Sequence, residues 1–367
     1  MAENTRLSTL TTIGVGGPAR QLIRASSTEQ LIESTIEVWA SGQEWLLLGG
    51  GSNLVVADEG FDGTVIRVET RGIERLESSD GSVRLRVQAG EPWDALVVHT
   101  VERGWSGLEA LSGIPGSSGA APIQNIGAYG EELSASLVAI EYLDYLRGEL
   151  LRVPAAELEL GYRTSAMKRG RQGLVVSIEL ELAASAEALS QPIAYPQLAA
   201  AMGAKLGDRV TLADVRSSVL TLRAAKGMVL DPNDPDSVSC GSFFTNPVVT
   251  ENFARSLPAE APRWPIEPEP ADVAVPIGGE PAPRLFPTNT RVKLSAAWLI
   301  EHAGITRGFA LPGSRAAISS RHTLAIVNRG GASAAEIAEL ARYAQTRVLS
   351  EFGVRLQPEP MLVGLEL

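Results

Sequence analysis

The chain is poor in the residues that build disulfides and metal centres. One cysteine and three histidines occur among 367 residues. Cys240 alone can neither close an internal disulfide nor furnish a zinc cage. His99, His302 and His322 are well separated in sequence, so no metal centre is expected. No stretch approaches the roughly 18 apolar residues of a membrane span. The start, MAENTRLSTL, lacks the basic n-region and apolar core of a secretory signal, so a soluble, cytoplasmic protein is expected. Basic charge is also short: 32 Lys and Arg against 43 Asp and Glu leave a formal net charge of -11. That balance argues against a nucleic-acid partner, whose binding needs a basic surface to displace counterions. A phosphorylated small molecule stays compatible, because local backbone amides can hold one inside an acidic protein.

What is present is ordinary globular composition, 44% hydrophobic and 20% charged, in a chain long enough for two or three domains. Ser27 followed by Gln30 predicts a capped helix carrying Leu31, Ile32, Ile36 and Trp39. EWLLLGGGSN reads as a buried strand entering a glycine turn, and residues 64–70 as another strand. Residues 73–90 read as short alternating strands, and EPWDALVVHTVERG as a helix with Pro92 in its first turn and Gly104 at its end. Residues 137–146 and 174–183 alternate as strands. Residues 251–290, rich in proline, read as a long surface excursion. Ser333 with Glu336 predicts a final capped helix with Ile337, Leu340, Ala344 and Val348 on one face. The fold class is α+β, with no fixed-period repeat.

Three glycine signals differ in weight. GVGGPA (14–19) matches a dinucleotide fingerprint as a string, but the string lacks the strong preceding strand and immediate helix that the fingerprint requires. GGGSN at Gly49, Gly50, Gly51, Ser52 and Asn53 follows an apolar strand, where glycines admit a phosphate close to the backbone; alone, it reads slightly better as a tight turn between strands. The run SGIPGSSGAAPIQNIGAYGEEL (112–133) shifts the balance. Its five glycines among Ser, Gln and Asn offer many amide donors and little side-chain bulk, which suits an extended, multi-phosphate ligand held between two subdomains.

Seven segments in order, NTRLSTLTTIGVGG, LLLGGGSNLVV, SGIPGSSGAAPIQNIGAYG, GYRTSAMKR (161–169), GSFFTNPVV (241–249), KLSAAWLIEHAG (293–304) and RLQPEPMLVG (355–364), resemble the UDP-N-acetylenolpyruvoylglucosamine reductases, the MurB family, nearly end to end. The resemblance implies an FAD-binding fold of the vanillyl-alcohol-oxidase type, two α+β subdomains at 1–70 and 71–225. It also implies an α+β substrate-binding domain at 226–352 and a tail, 353–367, returning to the active site. It implies non-covalent FAD and reduction of UDP-N-acetylglucosamine enolpyruvate to UDP-N-acetylmuramate with NADPH, a step in peptidoglycan precursor synthesis. No obligate protein partner is expected.

Carried over by position, the resemblance puts Gly49 to Asn53 with Ile114, Pro115 and Gly116 along the FAD diphosphate, continued by Asn125, Gly127, Ala128 and Tyr129, with Arg223 near the flavin. It gives Arg163, Ser242 and Glu359 the catalytic roles, and Tyr162, Tyr195, Lys226 and Asn246 the substrate contacts. Tyr195 resembles the mobile tyrosine of a long-loop subclass that closes over the UDP diphosphate. His302 falls where a relative can carry glutamine, and a neutral packed histidine is expected there. Ser117 and Ser118 lie where the family varies and receive no role.

These residue types suit the chemistry. Hydride addition to an enol ether leaves enolate-like charge beside a carboxylate, which the fixed planar fork of an arginine can hold. A serine hydroxyl, though a weak acid, can protonate so basic a carbon when donors hold the alkoxide. No G-x-S-x-G elbow surrounds Ser242, which argues against a serine hydrolase. Cys240 is expected to be a small space-filler. An oxidase of the same fold and a non-catalytic sugar-nucleotide-binding module are the rival readings; the first predicts air reoxidation without NADPH, the second a colourless protein.

Overall fold

The computed structural model describes residues 5–184, 187–266 and 290–367. The first lobe runs β1 (Ala19–Ala25), α1 (Thr28–Ala40), β2 (Trp45–Leu48), β3 (Leu54–Val56) and β4 (Phe61–Val68). Its parallel sheet has the order β1-β4-β2, with β3 outside it. Ser27 caps α1 by accepting from the Gln30 amide, whereas the Gln30 side chain reaches back to the Ser26 amide, one residue short of a full capping box. Leu31, Thr35 and Val38 form the buried stripe. Ile36, expected inside, is 41% exposed, because at 3.6 residues per turn it projects away from that stripe. Residues 14–19 follow a 3₁₀ turn (Leu7–Thr9) and lead into β1, so no helix N-terminus stands there for a pyrophosphate.

An antiparallel sheet forms the second lobe: β5 (Ile73–Leu76), β6 (Ser82–Gln88), β7 (Leu137–Asp144), β8 (Glu149–Pro154) and β9 (Gly173–Ala184) in the order β8-β7-β9-β6-β5. Val83, Leu85 and Val87 alternate inward from β6, the period-2 pattern of a strand with one buried face. Between β6 and β7, α2 (Trp93–Glu102) begins after Pro92, and the buried Trp93 indole N–H donates to the Leu111 carbonyl at 3.1 Å. This bond ties the start of the glycine-rich run to the helix. After β9 come α3 (Pro196–Met202) and α4 (Leu212–Ala224), which pack through Leu198, Val215 and Val219. Both helices went unread in the sequence. Arg216 of α4 holds Asp94 of α2 with a bidentate pair at 2.6 and 2.8 Å.

The third lobe contains two three-stranded antiparallel sheets. One has the order β10 (Ser239–Ser242), β15 (Ala325–Asn328), β14 (Ala316–Ile318); the other has the order β11 (Val248–Thr250), β13 (Arg291–Leu294), β12 (Arg263–Ile266). The helices are α5 (Glu251–Arg255), α6 (Ala296–His302) and α7 (Ala334–Phe352). The Ser333–Glu336 capping box forms as expected, and Ile337, Leu340, Ala344 and Val348 are all buried. The reading of 251–290 as a surface excursion is corrected where the chain is described: α5 and β12 are regular elements, and Ala254 and Leu257 lie in the core of this lobe. The remainder of that stretch, 267–289, lies outside the described residues.

The lobes interlock. Ile13, Val15 and Val55, from the N-terminal part of the chain, are buried in the same hydrophobic cluster as Phe243, Ile300 and Leu340. The C-terminal strand β16 (Met361–Val363) pairs in parallel with β3, Leu54 opposite Met361 and Val56 opposite Val363. Asp58, just past β3, accepts from the Ala334 and Ala335 amides at 2.8 and 3.0 Å, adding an acidic cap to the positive end of α7. Replacing Asp58 with Ala should therefore lower stability by about 1 kcal/mol, read as an earlier urea midpoint. A midpoint equal to that of the parent would show that these two bonds carry no stabilisation.

Candidate active site

Two glycine-rich loops are pressed against each other where the first and second lobes meet. A Cβ on Gly50 would lie 2.6 Å from the Gly116 Cα, and one on Gly49 would collide with the Ser117 hydroxyl. Only a residue without a side chain allows this approach. Ser52 Oγ donates to the Pro115 carbonyl at 3.0 Å and locks the contact. At this junction the amides of Gly50, Gly51, Ser52, Gly116 and Ser117 donate to no acceptor among the described residues. The buried Ser118 hydroxyl and the Arg223 Nε are likewise without partners there. Arg223 Nε faces the glycine-rich run, since a Cβ on Gly113 would lie 3.5 Å from it. The buried Ser118 hydroxyl and Arg223 Nε call for an acceptor, and free amides beside an arginine match the diphosphate of a dinucleotide. The residues present fit FAD.

Asn125, expected on this wall, commits its side chain to the protein. Its amide nitrogen donates to Glu132 at 2.8 Å and to the Gly161 carbonyl at 3.2 Å, and its oxygen accepts from the Ser134 amide at 2.9 Å. It thus fastens the glycine-rich run to the GYR motif. Ile114 packs against the second-lobe core.

Beyond this junction stands the group expected to be catalytic. Arg163 is held with φ +53°, a left-handed conformation that costs a non-glycine residue about 1 kcal/mol or more and occurs most often where function demands it. Its Nη2 donates to the Gly127 carbonyl at 2.8 Å and its Nε lies 3.4 Å from Glu359 Oε1. Asn125 and Tyr129 share this conformation, at φ +46° and +49°. Glu359 is nearly buried, its side chain 12% exposed. Burial raises its pKa above the ordinary carboxylate value, and the positive charges of Arg163 and Lys168 oppose that rise.

Three segments hold the Glu359 backbone. Its amide donates to the Phe243 carbonyl at 2.9 Å. Its own carbonyl accepts from Asn53 Nδ2 at 3.3 Å and from Lys168 Nζ at 3.5 Å. Asn53 Nδ2 also reaches Gln124 at 3.0 Å. The tail runs antiparallel to the strand after Ser242, with Phe244 opposite Pro358, so Ser242 and Glu359 lie on adjacent segments. Ser242 ends β10 and follows Gly241, whose φ of +79° is left-handed. Phe243 and Phe244 are buried behind it, which leaves one open side. Tyr162 joins the group by hydrogen bonding Asn246, and burial raises its phenol pKa. Lys293 Nζ stands 4.6 Å from the Tyr162 ring centre, within cation–π range.

Tyr129, Tyr195, Lys226 and Arg223 form an adjoining cluster. Tyr195, the N-cap of α3, meets Tyr129 edge-on at 5.7 Å between ring centres. Lys226 Nζ sits 5.8 Å from the Tyr129 ring and donates to Gln197 at 3.2 Å. Burial, then the charge of Arg223, lowers the Lys226 pKa. A cavity of about 490 Å³ opens beside Tyr129 and is bounded by the strap leading to Tyr195. Glu109 anchors that strap by accepting from the Gln191 amide at 2.8 Å. Burial, with the neighbouring Glu109 charge, pushes Glu131 in the same wall up to about 8.

Two residues fall outside both clusters. His302 stacks on Trp298 at 3.7 Å, and its Nδ1 shares a hydrogen bond with the Trp298 carbonyl. It is packed on one face, as expected, but exposed on the other. Cys240 is buried in the third-lobe core, where burial pushes its thiol up to about 12, so it serves as a space-filler. Lys168, Gln124 and Lys293 belong to the site and were assigned no role from sequence. All three stand inside the recognised motifs, and only folding shows that Lys168 faces Glu359 and Gln124 faces Asn53.

Comparison with known proteins agrees with this arrangement. The family model "FAD binding domain" matches residues 19–154, and that of the "UDP-N-acetylenolpyruvoylglucosamine reductase, C-terminal domain" matches residues 233–363. The UDP-N-acetylenolpyruvoylglucosamine reductase of Thermobifida fusca is 46% identical over 100% of this chain and 99% of that protein. The crystal structure of MurB from Thermus caldophilus superposes with a TM-score of 0.63 at 27% identity, covering 99% of both chains. The namesake reductase of Leifsonia xyli subsp. xyli is 57% identical over the full length of both proteins. By that likeness the chain belongs to the UDP-N-acetylenolpyruvoylglucosamine reductase family.

Proposed function

We infer that this protein is a flavin-dependent oxidoreductase that reduces UDP-N-acetylglucosamine enolpyruvate to UDP-N-acetylmuramate, with NADPH as hydride donor, in peptidoglycan precursor synthesis. The observation that carries the reading is the meeting of Arg163 and Glu359 beside Ser242, next to paired glycine loops rich in free amides. The chemistry that bound FAD supplies is hydride transfer between NADPH and the enolpyruvyl carbon.

The rest falls to the protein. Arg163 receives the enolpyruvyl carboxylate and stabilises the negative charge that grows on it, a preorganised cation aimed at developing charge. Glu359, whose burial favours its neutral form, stands beside that carboxylate and in that form aids its polarisation without repelling it. Ser242 gives its hydroxyl proton to the neighbouring carbon, from the end of a strand where Gly241 leaves access. Phe243 and Phe244 keep water from the reacting carbons. Lys226 and Tyr195, with Asn246 and Tyr162, hold the UDP diphosphate and sugar, and Tyr195 closes over them as the end of the Glu109-anchored strap. The free amides at 50–52 and 116–117, with Arg223, hold the cofactor's diphosphate and ring. The domain limits are 1–70, 71–225 and 226–352, with 353–367 as the returning tail.

No helix among the described residues is long and apolar enough to cross a membrane. We place the protein in the cytoplasm, where its nucleotide substrates are made.

Ser242→Ala should leave flavin reduction by NADPH close to the parent rate while slowing the substrate half-reaction by about 10²- to 10⁴-fold, read by anaerobic stopped-flow. Equal losses in both halves would remove Ser242 as proton donor. Arg163→Lys keeps the charge but loses the fork; losing one charge-assisted hydrogen bond is worth about 1.5–3 kcal/mol, so turnover should fall roughly ten- to a hundredfold. Parent turnover in that variant removes Arg163 from the chemistry. Because the neutral form of Glu359 is the active one here, the substrate half-reaction should decline as pH rises through its raised pKa. Glu359→Gln should flatten that decline; an unchanged pH profile assigns it to another group.

A further inference from the structure

Glu359 is approached by two cations, of which the family likeness assigns only one. Arg163 meets its carboxylate side chain, whereas Lys168, five residues on, meets its backbone: Lys168 Nζ stands 3.5 Å from the Glu359 carbonyl oxygen, beside the 3.3 Å bond from Asn53 Nδ2. The turn that carries Lys168 is itself fixed. Ser165 Oγ accepts from the Lys168 amide at 3.1 Å and donates to the Ile123 carbonyl at 2.5 Å. Thus the glycine-rich run, the GYR loop and the tail form one bonded unit around Glu359.

We propose that Lys168 is a positioning residue for Glu359, fixing the tail carbonyl with Asn53 and adding a second positive charge against which the Glu359 carboxyl is set. This rests on the reading of Glu359 as part of the reductase site. Burial and the Arg163 charge both lower the Lys168 pKa, while Glu359 in its ionised form raises it. The titratable groups around Glu359 are few: Arg163 and Tyr162 on the same loop as Lys168, and Cys240 on β10. Of these, only Arg163 and Lys168 are cationic.

The test uses the FAD-loaded full-length enzyme with Lys168→Met and Lys168→Arg. Removing a cation makes the carboxylate harder to form, so the Glu359 titration must move to higher pH in Lys168→Met. Carbon NMR of δ-¹³C-glutamate, with Glu359→Gln identifying the resonance, reads this shift directly. Loss of the charge-assisted bond that fixes the tail carbonyl should slow the substrate half-reaction by about tenfold, while its alkaline decline moves upward with the titration. Lys168→Arg should restore both, and flavin reduction by NADPH should stay near the parent rate throughout. A Glu359 resonance that titrates identically in parent and Lys168→Met overturns the inference, whatever happens to turnover. Equal losses in both half-reactions, with a lowered melting temperature and no rescue by arginine, overturn it in favour of a merely structural lysine. If the parent enzyme fails to turn over the enolpyruvyl ether, the functional reading falls, while the NMR titration still decides whether Lys168 governs Glu359.

Discussion

The fastening of Glu359 is the constraint on which the rest of the site depends. A carboxyl taken out of water is costly unless charges and hydrogen bonds compensate it. Here the charges of Arg163 and Lys168 offset the burial of the carboxyl, and bonds from three parts of the chain fix the Glu359 backbone. Asn53 comes from the first lobe, Arg163 and Lys168 from the second, and the Phe243 carbonyl from the third. Because Asn53, Lys168 and Phe243 lie in three different lobes, the group is assembled only when all three are docked. The burial that raises the Glu359 pKa and the bonds that fix its direction therefore arise from the same event.

That docking has its own physical basis. Ile13, Val15 and Val55 complete the third-lobe core, and β16 pairs with β3. Apolar burial supplies the bulk of such an association, while hydrogen bonds and strand register set its geometry. The cofactor wall is built on the same principle: Gly50 and Gly116 come close enough for two backbones to touch, and the amides this leaves free are the donors a diphosphate needs. Backbone strain collects at the same place, in the left-handed Asn125, Tyr129 and Arg163. Packing elsewhere overcomes that local cost.

Much of this was legible in the sequence. The α7 capping box and its apolar face could be read because both signals are local and periodic. β5, β6, β7 and β9 of the second lobe could be read from their alternation, whereas β8 could not. The motif residues Arg163, Ser242 and Glu359 could be named through likeness. Their convergence could not be read, since it depends on contacts between residues such as Asn53 and Glu359 that are 306 positions apart. Local signals also failed where composition misled: the proline-rich chemistry around 258–265 hid α5 and β12, and the alanine-rich 196–224 hid two helices whose buried stripe is short. Lys168 carries no signal of its own, because a lysine in a polar turn resembles any solvated one until the tail is folded onto it.

The most direct test of the account is an anaerobic spectrum of the purified protein taken before and after two additions. It should be yellow, bleach when NADPH is added, and regain its colour when UDP-N-acetylglucosamine enolpyruvate follows, with no oxygen present. Recovery only on admitting air, or a protein that remains colourless after incubation with FAD, would contradict it.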